Sequence, residues 1–361
     1  MIIGVDAQAA AAKKRTGVEN MTRELIHALL DIDQKNSYFL YSNLPLKLDK
    51  EYKNVQILHK QKKRFWHRTY LPAMIDITKP DVFIEPSYML PKNAPANSII
   101  FVLDLASKLY PKAYSLKQRI ILNQAFKSAL RAKEIVFISK STQDDFNKYY
   151  PGFPKKQEHV IYPGVADTSS CHDVKVTTHH KKYILYVGRI EDKKNIKNLI
   201  EAFALAKVKY SIDQQLVLAG KPGYGYNSII KEIVSQPLEI QKEIQELGYV
   251  NDKELACLYK NADLFVYPSI YEGFGMPILE AFSYDLPVAC AKISSMPEAA
   301  GGAAIYFDPN STIDIAKSMT RPLEDKSLRE ELIKKGQEQL KKFSWSKAAK
   351  ELLDIINKAN S

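Results

Sequence analysis

The chain has 361 residues, 45% of them apolar, enough for two domains with a core each; a disordered or collagen-like chain is excluded. Its 52 Lys and Arg against 41 Asp and Glu leave a formal charge of +11, which favours an anionic partner: a nucleotide, a nucleic acid or a phospholipid surface. Cys171, Cys257 and Cys290 show no CxxC or metal-like spacing, and the scattered histidines include a solvent-type His179–His180 pair, so a reducing compartment is expected.

The opening "MIIGVDAQ" has no basic segment followed by an apolar core, so no secretion signal is expected. No run approaches the roughly 18 apolar residues of a membrane span, which leaves surface attachment open. The expected location is cytoplasmic, with peripheral attachment to the cytoplasmic face of the inner membrane left open.

In chain order, "IIGV" (2–5), "YFLY" (38–41), "VQIL" (55–58), "DVFI" (81–84), "IIFVL" (99–103) and "IVFI" (135–138) read as buried strands of an α/β sheet. Met21, Leu25 and Leu29 mark one helix face between the first two, and 114–130 reads as another helix. The crossover between the strands near 40 and 57 has no clear helix. A polar segment, 162–182, then opens with proline and glycine and reads as a boundary. A second series follows: strands at 183–187, 215–219, 264–267, 287–291 and 303–307, with helices at 195–208, 252–260 and 276–284. Residues 345–361 read as a final helix, capped by Ser344 or Ser346, with Ala349, Leu352, Leu353 and Ile356 on its apolar face. The expected division is 1–165, a linker 166–182, 183–342, and a helix 343–361 packing back toward the first domain. Two open sheets of this kind bind ligands beyond the carboxyl ends of their strands, and the cleft between two domains is the default site.

Three strand-end loops of the second half carry the chemistry. In "YEGFGMPILE" (271–280), Gly273 and Gly275 let the backbone turn and approach a ligand, and Pro277 suits a first helical turn. Glu272 and Glu280 read as bidentate acceptors for two sugar diols, as an acid–base pair for glycoside hydrolysis, or as a loop acid and a helix-start acid; spacing leaves all three open. In "VGRIEDKKN" (187–195), Gly188 follows a strand, Arg189 suits a bidentate grip on phosphate, and Lys193 and Lys194 sit where a helix dipole disfavours cations unless an anion is bound. An ordinary solvated basic face is the alternative. "GKPGYGYN" (220–227) is a tight loop with Lys221, without the frame of a P-loop.

Together "GRIEDKKN", "AGKPGYGY", "GYVNDKELACLYKNADLFVYPS", "EGFGMPILE" and "SSMPEAAGGAAIYFDP" resemble, in order, the motifs of retaining glycosyltransferases of family 4. The resemblance covers nearly the whole chain and is strongest from Tyr183 to Pro309. It is similar in look to bacterial mannosyltransferases of surface polysaccharide assembly. It implies the GT-B fold: two facing Rossmann-like α/β domains with an interdomain cleft. It implies Arg189 and Lys194 against the donor diphosphate, Glu280 on the ribose and Glu272 on the transferred hexose. Gly17 of "TGVEN", Gly188, Lys221, Gly273, Phe274, Gly275 and Met276 would line the GDP- or UDP-linked sugar. The choice of Lys194 over Lys193 rests on the resemblance. No cofactor and no bound metal are implied.

Two departures stand out. Where the family has a His-Asp pair, "LDLASKLYP" (103–111) keeps Asp104 but has Leu103, which cannot hydrogen-bond a sugar. In "FSYDLP" (282–287), Asp285 stands where glycine is common; aspartate tolerates a left-handed backbone. The acceptor side is expected in the first half, where "HKQKKRFWHRTYLP" (59–72) interleaves Lys60, Lys62, Lys63, Arg64 and Arg68 with Phe65, Trp66 and Tyr70. It reads as a docking patch for a lipid-linked acceptor at an anionic membrane, or as a basic turn with its aromatics packed inward; the resemblance implies a saccharide or polyprenyl-diphosphate-linked acceptor. No nucleic-acid reader motif is present.

Overall fold

The structure, a computed structural model, describes residues 1–13, 15, 17–61, 65–87, 89–152, 154, 157–165 and 182–360. Thirteen strands form among them: β1 (Ile2–Asp6), β2 (Ser37–Ser42), β3 (Val55–His59), β4 (Val82–Glu85), β5 (Ser98–Val102), β6 (Glu134–Phe137), β7 (Glu158–Val160), β8 (Tyr183–Val187), β9 (Gln215–Ala219), β10 (Ile244–Gly248), β11 (Leu264–Tyr267), β12 (Val288–Ala291) and β13 (Ala304–Phe307). They build two sheets with every pairing parallel, in the orders β3-β2-β1-β4-β5-β6-β7 and β10-β9-β8-β11-β12-β13. Both share the 3-2-1-4-5-6 winding of a Rossmann sheet, whose direction reverses between β1 and β4 and between β8 and β11. Strands β4, β5, β6, β9, β11 and β12 are buried along their whole length, which is why they read as unbroken apolar runs.

Two compact units hold these sheets: residues 1–108, 115–164 and 343–361 in the first, 109–114 and 165–342 in the second. The short segment Leu109–Tyr114 thus groups with the second unit, although flanked in sequence by the first. The helix Trp345–Asn360 is capped by Ser344, whose Oγ accepts from Lys347 N at 3.2 Å. It buries Ala349, Leu352 and Ile356, and packs on helix Gly17–Ile32 and on β4 and β5. A Cβ on Gly164 would lie 2.1 Å from Trp345 N, so the two backbones meet where only glycine fits.

The sequence reading missed β7 and β10, which are half-buried edge strands, and helices such as Tyr70–Thr78, Lys140–Tyr149 and Thr312–Glu324. β2 and β3 are joined without a helix. Asp285 has φ 56°, the left-handed conformation expected there, and its Oδ1 accepts from Gln337 Nε2 at 2.6 Å. Among the described residues no helix is long and apolar enough to cross a membrane. The 166–182 linker, apart from its last residue, lies outside the described residues, as do Cys171 and the His179–His180 pair.

Candidate active site

In the second unit, the loops leaving β8 and β9 continue the pairing of their strands. Gly188 N donates to Ala219 O at 3.0 Å, Ile190 N to Lys221 O at 2.9 Å and Gly223 N to Ile190 O at 2.9 Å. Gly188 has φ 151°, and a Cβ on Gly220 would lie 1.7 Å from Gly188 O. The Tyr186 hydroxyl donates to Arg189 O at 3.0 Å, so the turn that presents Arg189 is pinned from below. The Arg189 side chain is 58% exposed, with Nε 3.5 Å from Glu191 Oε2. It is the accessible cation of the loop.

Lys194 behaves differently. Residues Asp192–Lys194 form a single 3-10 turn, and Asn195 at φ 59° separates it from helix Ile196–Tyr210. The break turns Lys194 inward, where it pairs with Glu272 from the loop after β11; the two side chains are only 11% and 12% exposed. Its ammonium also lies 3.4 Å from the Tyr267 hydroxyl and 5.6 Å from that ring's centre. Burial pushes the Glu272 carboxyl up, but Lys194 and Lys193 outweigh burial and hold it below its ordinary value. Glu272 is therefore an anion at neutral pH. Its backbone carbonyl accepts from Ser294 Oγ at 2.7 Å and Ser295 Oγ at 2.9 Å, which fixes the loop to the end of β12. Lys193 points elsewhere: its ammonium lies 3.5 Å from Glu191 and 3.4 Å from the Tyr114 hydroxyl.

Gly275, at φ 105°, opens helix Met276–Ser283, with Pro277 in its first turn. Phe274 is buried beneath this start, and Met276 and Gly273 are half-buried. Glu280 lies one turn further on and accepts from the Tyr259 hydroxyl at 2.8 Å. Burial pushes its carboxyl up; the Tyr259 bond opposes that shift, and the charge of Asp252 adds to it. The two glutamates thus sit in opposite electrostatic surroundings. Lys221 Nζ stands 4.3 Å from the centre of the Tyr249 ring. Lys194 follows β8 and Glu272 follows β11, so the pair marks the point where the winding reverses.

The remaining candidates belong to the first unit. Gly17 is the exposed first residue of helix Gly17–Ile32, and a Cβ there would meet nothing within 4 Å. Leu103 and Asp104 follow β5; Leu103 is half-buried and Asp104 Oδ1 accepts from Ala106 N at 2.9 Å. The basic aromatic patch is corrected at its centre. Trp66 is not at the surface: it is 2% exposed, and its indole N–H points to Asp6 Oδ2 at 3.4 Å. Phe65 (52% exposed) and Arg68 are exposed, Lys60 stands over the half-buried Tyr70 ring, and Lys62, Lys63 and Arg64 lie outside the described residues.

What draws Trp66 inward is a cluster that the sequence did not reveal. Asp6 at the end of β1 and Glu85 at the end of β4 are buried, and His67 Nε2 lies 3.1 Å from Asp6 and 3.9 Å from Glu85. Burial works against a charged His67, but Asp6 and Glu85 prevail and raise its pKa above the ordinary value. One ligand-type atom from each of the three falls within 4.8 Å, a spacing at which a cation could also be held. This cluster marks the reversal point of the first sheet as Lys194–Glu272 marks that of the second.

Residues 171–339 match the family described as Glycosyl transferases group 1. An O-antigen chain mannosyltransferase B from Escherichia coli is 40% identical over 163 residues, 45% of this chain and 42% of that protein. An O-antigen chain mannosyltransferase RfbU from Salmonella typhimurium is 28% identical over 216 residues, 59% and 57% of the two chains. The chain thus spans about half the length of these relatives, or less. Among solved structures, WaaG, a glycosyltransferase involved in lipopolysaccharide biosynthesis, superposes with a TM-score of 0.73 at 13% identity and 99% coverage of both chains. The chain has the GT-B fold, carries the group 1 signature in its second unit, and resembles bacterial mannosyltransferases of surface polysaccharide assembly.

Proposed function

We propose that this chain is a retaining, metal-independent glycosyltransferase that moves a hexose from a nucleotide sugar to a hydroxyl of a saccharide or polyprenyl-diphosphate-linked acceptor. The donor we assign first is GDP-mannose; the matched relatives named as O-antigen mannosyltransferases support it. The observation that carries the reading is the buried Lys194–Glu272 pair beside the accessible Arg189, at the reversal point of the second sheet.

The chemistry follows from the charges. As the bond between the sugar C1 and the diphosphate oxygen breaks, negative charge grows on the diphosphate. Arg189 grips it in a bidentate fork and Lys194 opposes it as a point charge. Glu272, held ionised, accepts hydrogen bonds from hexose hydroxyls, and Glu280 holds the ribose diol. The acceptor oxygen attacks C1 from the face the diphosphate is leaving. Its proton passes to a departing phosphate oxygen, so configuration is retained and no protein base is required. Gly17 and Asp104 are assigned to the first unit's side of this reaction, with Gly188, Lys221, Gly273, Phe274, Gly275 and Met276 around the donor.

Calorimetric titration of GDP-mannose, UDP-glucose and UDP-N-acetylglucosamine tests the reading. One donor is expected to bind at micromolar strength and to weaken about a hundredfold in Arg189→Ala, as for a lost charge-assisted grip of about 3 kcal/mol. Absence of binding across the panel would sink it. Leu103 favours one alternative, a nucleotide-sugar-binding homologue with little turnover. That reading predicts donor binding without transfer to any acceptor, and gain of transfer in Leu103→His.

A further inference from the structure

The segment Leu109–Tyr114, which groups with the second unit, is folded around one turn. Pro111 opens a 3-10 turn, Pro111–Ala113, with Ala113 N donating to Tyr110 O at 3.0 Å and Tyr114 N to Pro111 O at 3.2 Å. The turn leaves a tyrosine at each end, and each is seated on a loop of the candidate active site. The Tyr110 hydroxyl donates to Ile270 O at 3.2 Å, and its ring lies 5.7 Å from that of Tyr271, centre to centre, at 49°. Tyr271, 4% exposed, directly precedes Glu272. At the other end, the Tyr114 hydroxyl accepts from Lys193 Nζ at 3.4 Å, and that ammonium stands 5.8 Å from the centre of the Tyr114 ring. Lys193 directly precedes Lys194. The two loops are also tied to each other, since Ile270 N donates to Lys193 O at 3.1 Å.

We propose that Leu109–Tyr114 is a clip that fastens the Glu272 loop to the Lys193–Lys194 turn, and that Tyr110 and Tyr114 are positioning residues for the hexose end of the donor. The role rests on the reading of Glu272 as the group that meets the hexose. Ser294 and Ser295 hold the Glu272 carbonyl from the end of β12. The clip holds the two residues before it, so the carboxylate is fixed from both sides along the chain. A carboxylate that must meet sugar hydroxyls tolerates little drift: a misplacement of about 1 Å costs about a hundredfold. Lys193, one of the two cations that keep Glu272 ionised, is itself steadied by Tyr114. The groups assigned to the rest of the donor have other supports. Tyr186 pins the turn of Arg189, and Tyr259 bonds Glu280. Loosening the clip should therefore damage recognition of the sugar and spare that of the nucleotide.

Hydrogen exchange and calorimetry of the full chain test it, with Tyr110→Phe, Tyr110→Ala and Tyr114→Ala. Exchange needs no ligand. Amides of residues 270–275 are expected to exchange at least about tenfold faster in Tyr110→Ala and about threefold faster in Tyr110→Phe, which keeps the ring and loses the hydroxyl; β9 and β12 should exchange as in wild type. In Tyr114→Ala the rise should fall on residues 192–195 and on Ile270. Calorimetry then compares each sugar nucleotide with its bare nucleotide, GDP-mannose with GDP and UDP-glucose with UDP. Tyr110→Ala should weaken the sugar nucleotide that binds by about tenfold and its bare nucleotide by less than about twofold, and Tyr110→Phe should recover most of the loss. Circular dichroism and melting temperature verify folding, and Tyr110→Phe carries both readouts if Tyr110→Ala unfolds. Unchanged exchange at 270–275 overturns the proposal. So does a loss shared equally by nucleotide and sugar nucleotide, which would make the segment a plain structural support. A wild type that binds none of the four ligands refutes the donor reading instead, and exchange alone then decides whether the clip holds the loop.

Discussion

Removing Lys194 should leave Glu272 as a buried carboxylate whose main counter-charge is gone. The side chains are 11% and 12% exposed, so the pair is screened far less than a surface ion pair. Breaking such a pair from one side costs about 3–5 kcal/mol. Lys193 also acts on Glu272 and survives the substitution, which argues for the lower end, about 3 kcal/mol. For a unit of this size that is a fall of about 6–12 °C in its melting temperature. The sign with pH is fixed. In the wild type the carboxyl is held low, so its contribution is present above its ordinary pKa and is lost as pH falls through the folded-state value. In Lys194→Ala, burial dominates and the carboxyl titrates high, so the variant is weakest at about pH 8 and recovers toward about pH 5 as Glu272 takes a proton. Differential scanning calorimetry of Lys194→Ala, Glu272→Gln and Lys194→Met with Glu272→Gln measures all of this. The double variant should be more stable than Lys194→Ala, because no charge is left buried. A loss under about 1 kcal/mol for Lys194→Ala, or a double variant as unstable as the sum of both singles, would refute the reasoning.

The cluster at the first sheet's reversal point titrates in the other direction. His67 has a raised pKa, so its stabilisation is full below about pH 6 and is lost as pH rises through the folded-state value. Chemical denaturation of wild type and His67→Gln should therefore differ most in mild acid and converge in alkali; a gap that widens with pH contradicts the assignment. Glu280→Gln removes a charge that burial disfavours while keeping an acceptor for Tyr259, so the melting temperature at about pH 8 should hold or rise, and donor affinity should fall about tenfold or more. Gly220→Ala would place a methyl 1.7 Å from Gly188 O and should cost about 3 kcal/mol, whereas Gly302→Ala, with open space around it, should change stability by less than about 0.5 kcal/mol in the same urea titration.

The strands were legible because a parallel strand buried on both faces is an apolar run that composition alone exposes. β10, "IQELG", is half-buried throughout and alternates poorly, so it gave no such signal. Helix Leu116–Ala129 was legible in extent but not in orientation: Leu116 and Ile120 have the spacing of a core stripe, and only the fold shows that they face out. Trp66 misled in the opposite sense. It stands in a run of lysine and arginine, and the Asp6 that satisfies its indole is 60 residues away. His67 is likewise bound to partners at the ends of two strands that the topology, not the sequence, sets side by side. Lys193 and Lys194 are indistinguishable in sequence; a left-handed Asn195 decides which is turned inward.

The split membership of the first unit has a consequence for how the protein is made. Its last element, Trp345–Asn360, packs on helix Gly17–Ile32, β4 and β5, and residues 165–342 of the second unit come between. A ribosome adding about 5–20 residues per second needs about 10–35 s to cross that interval. Throughout it Met21, Leu25 and Phe101, which line the same seam as Trp345 and Ala348, have no cover from that helix. The first unit is therefore begun before the second and completed after it, and a nascent chain stalled before residue 343 carries an apolar seam of the kind that chaperones hold.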